Sequence, residues 1–196
     1  MRVLFVRHGS TAWNEAGRIQ GNTDVPLSPA GRTQVAGWRL PEDWRGVRCV
    51  TSPLRRARET AALLGWASPE ADARLAEMRW GGYEGATLAE LRRRHGGALA
   101  ENEARGLDFR PPDGESPREV AARLASFLRD MAVEGEDRLV VAHRGILRAS
   151  LVLAFGWDML GRPPVRIVDD VALEHGLDST GSLAFVRSVG LREAAP

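Results

Sequence analysis

Four short apolar runs limit what this chain can become: Val3–Val6, Val47–Thr51, Leu139–Ala142 and Leu183–Val186. Each is bounded by polar or turn-forming residues, as buried strands are, and amphipathic stretches long enough for helices lie between them. Strands alternating with helices predict an α/β fold, a three-layer α/β/α arrangement on a mostly parallel but mixed sheet. The mixture is expected near the C-terminus, where Val171–Glu174 and Leu183–Val186 read as strands joined through residues 176–181 and paired antiparallel.

Helix starts are marked by serine followed by proline at Ser28-Pro29, Ser52-Pro53, Ser68-Pro69 and Ser116-Pro117, because proline at the first helical position loses no hydrogen bond. Ser116-Pro117-Arg118-Glu119 and Thr87-Leu88-Ala89-Glu90 are capping boxes. The first opens a helix expected to run to about Val133. Residues 106–116, with Pro111-Pro112-Asp113-Gly114, read as a loop. The chain is read as one domain over 1–196, with a helical and loop insertion at 75–114 that caps a site and chooses its ligand. The tail Leu191–Pro196 is expected to fray.

The charge balance, 27 Lys plus Arg against 26 Asp plus Glu, gives no bulk field for nucleic acid or an anionic membrane. Any positive field must be local. The single cysteine, Cys49, rules out an internal disulfide framework and reads as a buried thiol. Neither the apolar residues before Arg7 nor the stretch from Ala149 to Trp157 suits a signal peptide or a membrane span, so a cytoplasmic location is expected. Oligomeric state is not legible.

Three predicted strands run out into unusual polar clusters: Arg7-His8-Gly9, Ser52-Pro53-Leu54-Arg55-Arg56 and His143-Arg144-Gly145. Ligands of open α/β sheets bind beyond the carboxyl ends of strands, so these clusters are expected to meet in one crevice. Guanidinium forks match phosphate oxygens and repel a metal ion, and helix N-termini after Ser52 and His143 would add free amides. Phosphate is the expected ligand group. A neutral imidazole among arginines can attack phosphorus without a separate base, but an alkoxide leaving group needs an acid. The carboxylates of Glu77 and Glu84 are candidates that chemistry alone does not rank.

Arg7-His8-Gly9-Ser10-Thr11-Ala12-Trp13-Asn14 resembles the signature of the histidine phosphatase superfamily, in its phosphoglycerate mutase-like branch. The likeness continues through Arg18-Ile19-Gln20-Gly21, Ser52 to Ala57 with Thr60, Leu75-Ala76-Glu77, Glu84-Gly85, Gly114-Glu115-Ser116 and Val141-Ala142-His143. It implies His8 as a phosphohistidine nucleophile, Arg7 and Arg56 as holders of the phosphoryl oxygens, His143 as a further hydrogen-bond donor and Glu77 as the proton donor. Asn14 and Gln20 match polar positions that line the phosphate side of the pocket, Ser52 matches a residue at the helix start, and all three are expected to bind substrate. The implied activity is metal-independent and cofactor-free hydrolysis of a small phosphomonoester, with broad-specificity and α-ribazole-phosphate phosphatases among the similar enzymes. The chain departs from many relatives at Arg144, where glycine is usual; glycine reaches backbone angles costly for arginine, so the geometry beside His143 is in question.

Rival readings stay open at this point. A cofactor-dependent phosphoglycerate mutase would return the phosphoryl group to a bound substrate; a phospho-ligand-binding module would keep the pocket without turnover. A metal hydrolase using His8, His143 and Glu77 conflicts with the adjacent arginines. Arg92-Arg93-Arg94 read as a solvated helix face, His95 and His175 as surface or capping residues, and Arg55 as pointing away from Arg56. Trp13, Trp80, Tyr83 and Phe109 are equally readable as a ligand wall or as ordinary core.

Overall fold

In the computed structural model, which describes residues 1–192, the predicted alternation becomes six strands and six α-helices. In chain order these are β1 (Arg2–Arg7), α1 (Ala12–Glu15), α2 (Pro29–Ala36), β2 (Arg48–Thr51), α3 (Arg55–Leu63), β3 (Glu70–Ala71), α4 (Leu88–Glu103), α5 (Pro117–Glu134), β4 (Arg138–Ala142), α6 (Arg144–Phe155), β5 (Val171–Leu177) and β6 (Leu183–Gly190). One sheet carries them in the order β3-β2-β4-β1-β5-β6. The first four strands are parallel, and β5 and β6 are antiparallel.

The two-residue period of a strand divides the core. Val3 and Phe5 of β1 and Val140 and Ala142 of β4 face one apolar cluster, shared with α4, α5 and α6. Leu4, Val6, Leu139 and Val141 face the other, shared with α2 and α3. Three layers result. The parallel strands are apolar on both faces because helices cover both. α5 buries Val120, Leu124, Phe127 and Leu128 along one stripe, and each such side chain contributes about 1.5–3 kcal/mol.

Capping chemistry sets most helix boundaries. Ser28 accepts from the Gly31 amide, and the boxes at Thr87/Glu90 and Ser116/Glu119 are closed in both directions. A third box, Thr11 with Asn14, opens α1. α5 ends at Gly135 in the left-handed conformation (φ 72°), a C-terminal position that favours glycine.

Two serine–proline pairs do not start helices. Ser52 sits two residues before the Leu54 cap of α3, and its hydroxyl accepts from the Leu54 amide. Pro69 leads instead into β3, which pairs with Val50 and Thr51; proline is tolerated at a strand's start, and the sheet ladder outweighs the local signal. His175 is a second correction: it lies fully buried in β5, edge-on to Phe5 and Phe185, not at the surface. Leu191, expected to fray, is buried and hydrogen-bonded to Arg39 and Asp170; the rest of that tail, 193–196, lies outside the described residues. Arg92, Arg93 and Arg94 are exposed on α4, as expected. Among the described residues no helix is long and apolar enough to cross a membrane.

Candidate active site

The sheet ladder itself assembles the site. Arg7 pairs with Ala142, and Val141 pairs with both Val6 and Thr51, so the parallel strands β1, β4 and β2 end level with one another. Neighbouring strands lie about 4.8 Å apart, and the residues following each strand therefore stand in a row: His8, His143, Ser52. The His8 amide donates to the Ala142 carbonyl and the Ser52 amide to Val141, which extends the ladder one step past the strands. The two imidazoles are 5.0 Å apart, centre to centre.

The His8 ring is fixed by its own backbone neighbour. Its Nδ1 lies 2.7 Å from the Gly9 carbonyl, which can only accept, so Nδ1 carries the proton and Nε2 keeps its lone pair. Burial, and then the charges of Arg7 and Arg56, push the His8 pKa well below the ordinary histidine value. The ring is therefore neutral at physiological pH, with the Nε2 lone pair free. Gly9 is held in place by donation to Thr60 Oγ, and a Cβ on Gly9 would come within 2.4 Å of Val35.

Arg56, fully buried on α3, donates to the carbonyls of Gly21 (2.8 Å) and Thr23 (2.9 Å) and through Nε to His143 Nδ1 (3.3 Å). A guanidinium has five N–H groups, so two remain for an anion. Because Arg56 can only donate, His143 Nδ1 accepts, and Nε2 carries the proton that Ser52 Oγ accepts at 2.7 Å. His143 is kept neutral by burial first, then by the charge of Arg56.

Arg7 leaves β1 into the same space and pairs with Asp169. Burial, helped by the nearby Arg144 charge and opposed by Glu77, lowers its pKa to about 10, so it remains charged at neutral pH.

These groups open onto a cleft of about 460 Å³. Arg7, His8, Asn14, Gln20, Arg56 and Glu77 are on its wall; His143 and Ser52 are not, standing one layer behind. Asn14 and Gln20 direct their carbonyl oxygens toward Thr11. Among the described residues their NH₂ groups make no hydrogen bond.

The structure separates the two candidate acids. Glu84 is consumed as a loop clamp, accepting from the amides of Asn22, Thr23 and Trp80 and from the Thr23 hydroxyl. Glu77 faces the cleft and accepts from the amides of Met78 (2.7 Å) and Gly145 (3.0 Å). The Gly145 amide is one of the unpaired donors at the start of α6, where the helix dipole favours a carboxylate. Arg144 is the first residue of that helix and takes no left-handed angles. The doubt over Arg144 is thereby answered: the demanding position is Gly145, where a Cβ would lie 2.1 Å from Glu77 Oε1.

Residues 75–114 supply much of the opposite wall, through Glu77, Met78, Trp80, Glu103, Gly106 and Phe109. Trp80 and Phe109 lie 5.5 Å apart there, Tyr83 is in the core, and Trp13 packs over Gly85. Arg148 and Met159 on the wall were not anticipated from sequence. The spacing of Arg148, five residues past His143 on an amphipathic helix, was the available signal for it. Among the described residues no cluster of three His, Cys, Asp or Glu is arranged to hold a metal ion.

The family model of the histidine phosphatase superfamily (branch 1) matches residues 3–174. A 2,3-bisphosphoglycerate-dependent phosphoglycerate mutase 2 of Gloeobacter violaceus is 32% identical, over 92% of this chain and 88% of that protein. A glucosyl-3-phosphoglycerate phosphatase of Mycolicibacterium vanbaalenii is 34% identical over 82% of this chain and 79% of its own. The solved structure of a mycobacterial glucosyl-3-phosphoglycerate phosphatase with VO3 superposes with a TM-score of 0.78 at 28% identity, covering 98% of this chain and 99% of the other.

Proposed function

The chain belongs to branch 1 of the histidine phosphatase superfamily, and from that premise we propose that it hydrolyses a small phosphomonoester through a phosphohistidine on His8, with Glu77 as proton donor. The observation that carries this reading is the His8 tautomer: Nδ1–H is tied to the Gly9 carbonyl, and Nε2 is unprotonated beside Arg7, Arg56 and Glu77. His8 Nε2 attacks phosphorus in line as the bond to the ester oxygen breaks. A protonated Glu77 gives its proton to that oxygen. Water then attacks the phosphohistidine, the Glu77 carboxylate takes its proton, and inorganic phosphate leaves with His8 restored.

Arg7 and Arg56 bear the equatorial charge, a positioned electrostatic role of the kind phosphoryl transfer demands. In the resting arrangement His143 orients Arg56 through Nδ1 and gives its one N–H, at Nε2, to Ser52 Oγ, so it would donate to the phosphoryl group only by giving up Ser52. Asn14 and Gln20 line the phosphate side; Ser52 acts through His143 and not on substrate. The 75–114 segment selects the leaving group, and no metal takes part.

Phosphoglycerate mutase relatives keep transfer to a second substrate as the rival reading. The test is to incubate the protein with a panel of labelled phosphomonoesters in strong chelator, following phosphate release and acid-labile label on the protein. Expected are net phosphate release and a labelled protein that disappears in His8→Ala. Bisphosphate-stimulated isomerisation without phosphate release would replace hydrolysis by mutase chemistry; binding without any phosphoenzyme would leave only a ligand-binding module.

A further inference from the structure

Five arginines stand on the cleft wall against two glutamates, Glu77 and Glu103. Three of the five are held by the protein: Arg7 by Asp169, Arg18 by the Gly85 carbonyl, and Arg56 by two carbonyls and His143. Arg144 and Arg148 differ. Among the described residues neither side chain makes a hydrogen bond or an ion pair, and Arg148 Nε is sealed from solvent without a partner.

The two lie four residues apart on α6, hence on one helix face, and that face, with Ala149 and Val152, forms a side of the cleft. Arg148 is half-buried with its guanidinium stacked 5.2 Å over the Trp157 ring, which fixes its stem and aims the charge. Arg144 is close enough to depress the proton affinity of both Arg7 and Arg148. Arg148 is partly desolvated beside the Arg144 charge, with the Glu77 carboxylate offsetting part of that, and neither guanidinium has a hydrogen-bonding partner among the described residues, so the pair stands open to an anion. A phosphoryl group at His8 satisfies Arg7 and Arg56. Arg148 lies about one turn farther along α6 than Arg144, on the side of the cleft formed with Ala149 and Val152.

We propose that Arg144 and Arg148 form a second anion-binding subsite on the leaving-group side of the cleft. The preferred phosphomonoester then carries a carboxylate or a second phosphate a few atoms from the ester that is cleaved. This identification of the substrate class rests on the hydrolytic reading of the His8 site.

The experiment compares matched pairs: 3-phosphoglycerate against glycerol 3-phosphate for a carboxylate, and fructose 1,6-bisphosphate against fructose 6-phosphate for a second phosphate. The wild-type protein should favour the charged member of at least one pair tenfold or more in kcat/KM, and the pair in which it does so identifies the anion. In the double variant Arg144→Met, Arg148→Met, whose side chains retain much of the apolar stem, that ratio should fall at least tenfold. In Arg144→Met alone, at an exposed position, it should fall about threefold. No charged-over-neutral preference in either pair, or a preference the double variant keeps, overturns the subsite. Calorimetric affinities of the same four compounds for His8→Ala protein, with and without the two methionines, separate the two readings. A ratio lost with the arginines there upholds the subsite even if the wild-type protein releases no phosphate, and a ratio that never exists refutes it.

Discussion

Gly145→Ala offers a way to move one carboxylate without touching the rest of the site. The added Cβ would lie 2.1 Å from Glu77 Oε1, 3.2 Å from its Cδ and 3.4 Å from Met78 Cβ. Real Cβ contacts are not shorter than 3.0 Å, so the carboxylate must retreat by about 1 Å and weaken its bond to the Gly145 amide. A misplacement of about 1 Å at a reacting group costs on the order of a hundredfold in rate. Stability should move the other way. Gly145 has helical, negative-φ geometry at the second position of α6, and alanine in a helix is favoured over glycine by up to about 1 kcal/mol. Steady-state kinetics with an alkyl phosphate and with p-nitrophenyl phosphate, alongside thermal unfolding, test both halves. The loss should be about a hundredfold for the alkyl ester, whose alkoxide needs a proton, and clearly smaller for the nitrophenyl ester, whose phenolate does not. An equal loss in kcat/KM, which reports the step that forms the phosphohistidine, on both esters would remove Glu77 from the acid's role. Activity within threefold of wild type on the alkyl ester would show that the Gly145–Glu77 contact does not position it.

Two further perturbations probe the buried framework. Ser52→Ala leaves the Nε2–H of fully buried His143 without its acceptor and should cost about 1–3 kcal/mol in urea unfolding; a loss under about 0.5 kcal/mol would mean that the Ser52–His143 hydrogen bond does not hold the buried ring. His175 is fully buried, and neither ring nitrogen makes a well-formed hydrogen bond; burial lowers its pKa from 6.5 to about 4, with a loose contact to the Leu173 backbone offsetting part of that. The unfolded chain therefore binds the extra proton between pH 6.5 and 4, so this group's contribution is complete above 6.5 and declines by up to about 3 kcal/mol as pH falls to 4. Equilibrium unfolding of His175→Leu across that window should show a slope shallower by about one proton, and an unchanged slope would refute the assignment.

Much of this could be read from residues alone, and the exceptions share a cause. The apolar runs become strands where expected because parallel strands covered on both faces need continuous burial, which sequence records directly. His8, Arg7, Arg56 and Glu77 meet on one cleft wall, as expected, because the strands that carry or precede the first three end level with one another. What sequence did not reveal depends on partners distant along the chain. Ser68-Pro69 has the same local signal as Ser116-Pro117, yet β2 recruits the residues after it into the sheet. Glu77 and Glu84 are only seven residues apart in similar surroundings, and they diverge because the amides of Asn22 and Thr23 capture Glu84 while Gly145 captures Glu77. Ser52 was placed on the phosphate, but its hydroxyl belongs to His143, a partner 91 positions away.

The row of residues beyond β1, β4 and β2 has an evolutionary corollary. Its pitch is dictated by amide-to-amide pairing between adjacent strands, which any apolar filling of the sheet reproduces. Under the proposed function, reactivity would therefore travel with the backbone, and preference for cargo with the residues of 75–114 and α6 that line the cleft, which contribute little to that pitch. Exchanging residues 75–114 and the outward positions of α6 between members of this lineage should transplant selectivity while the reaction stays the same.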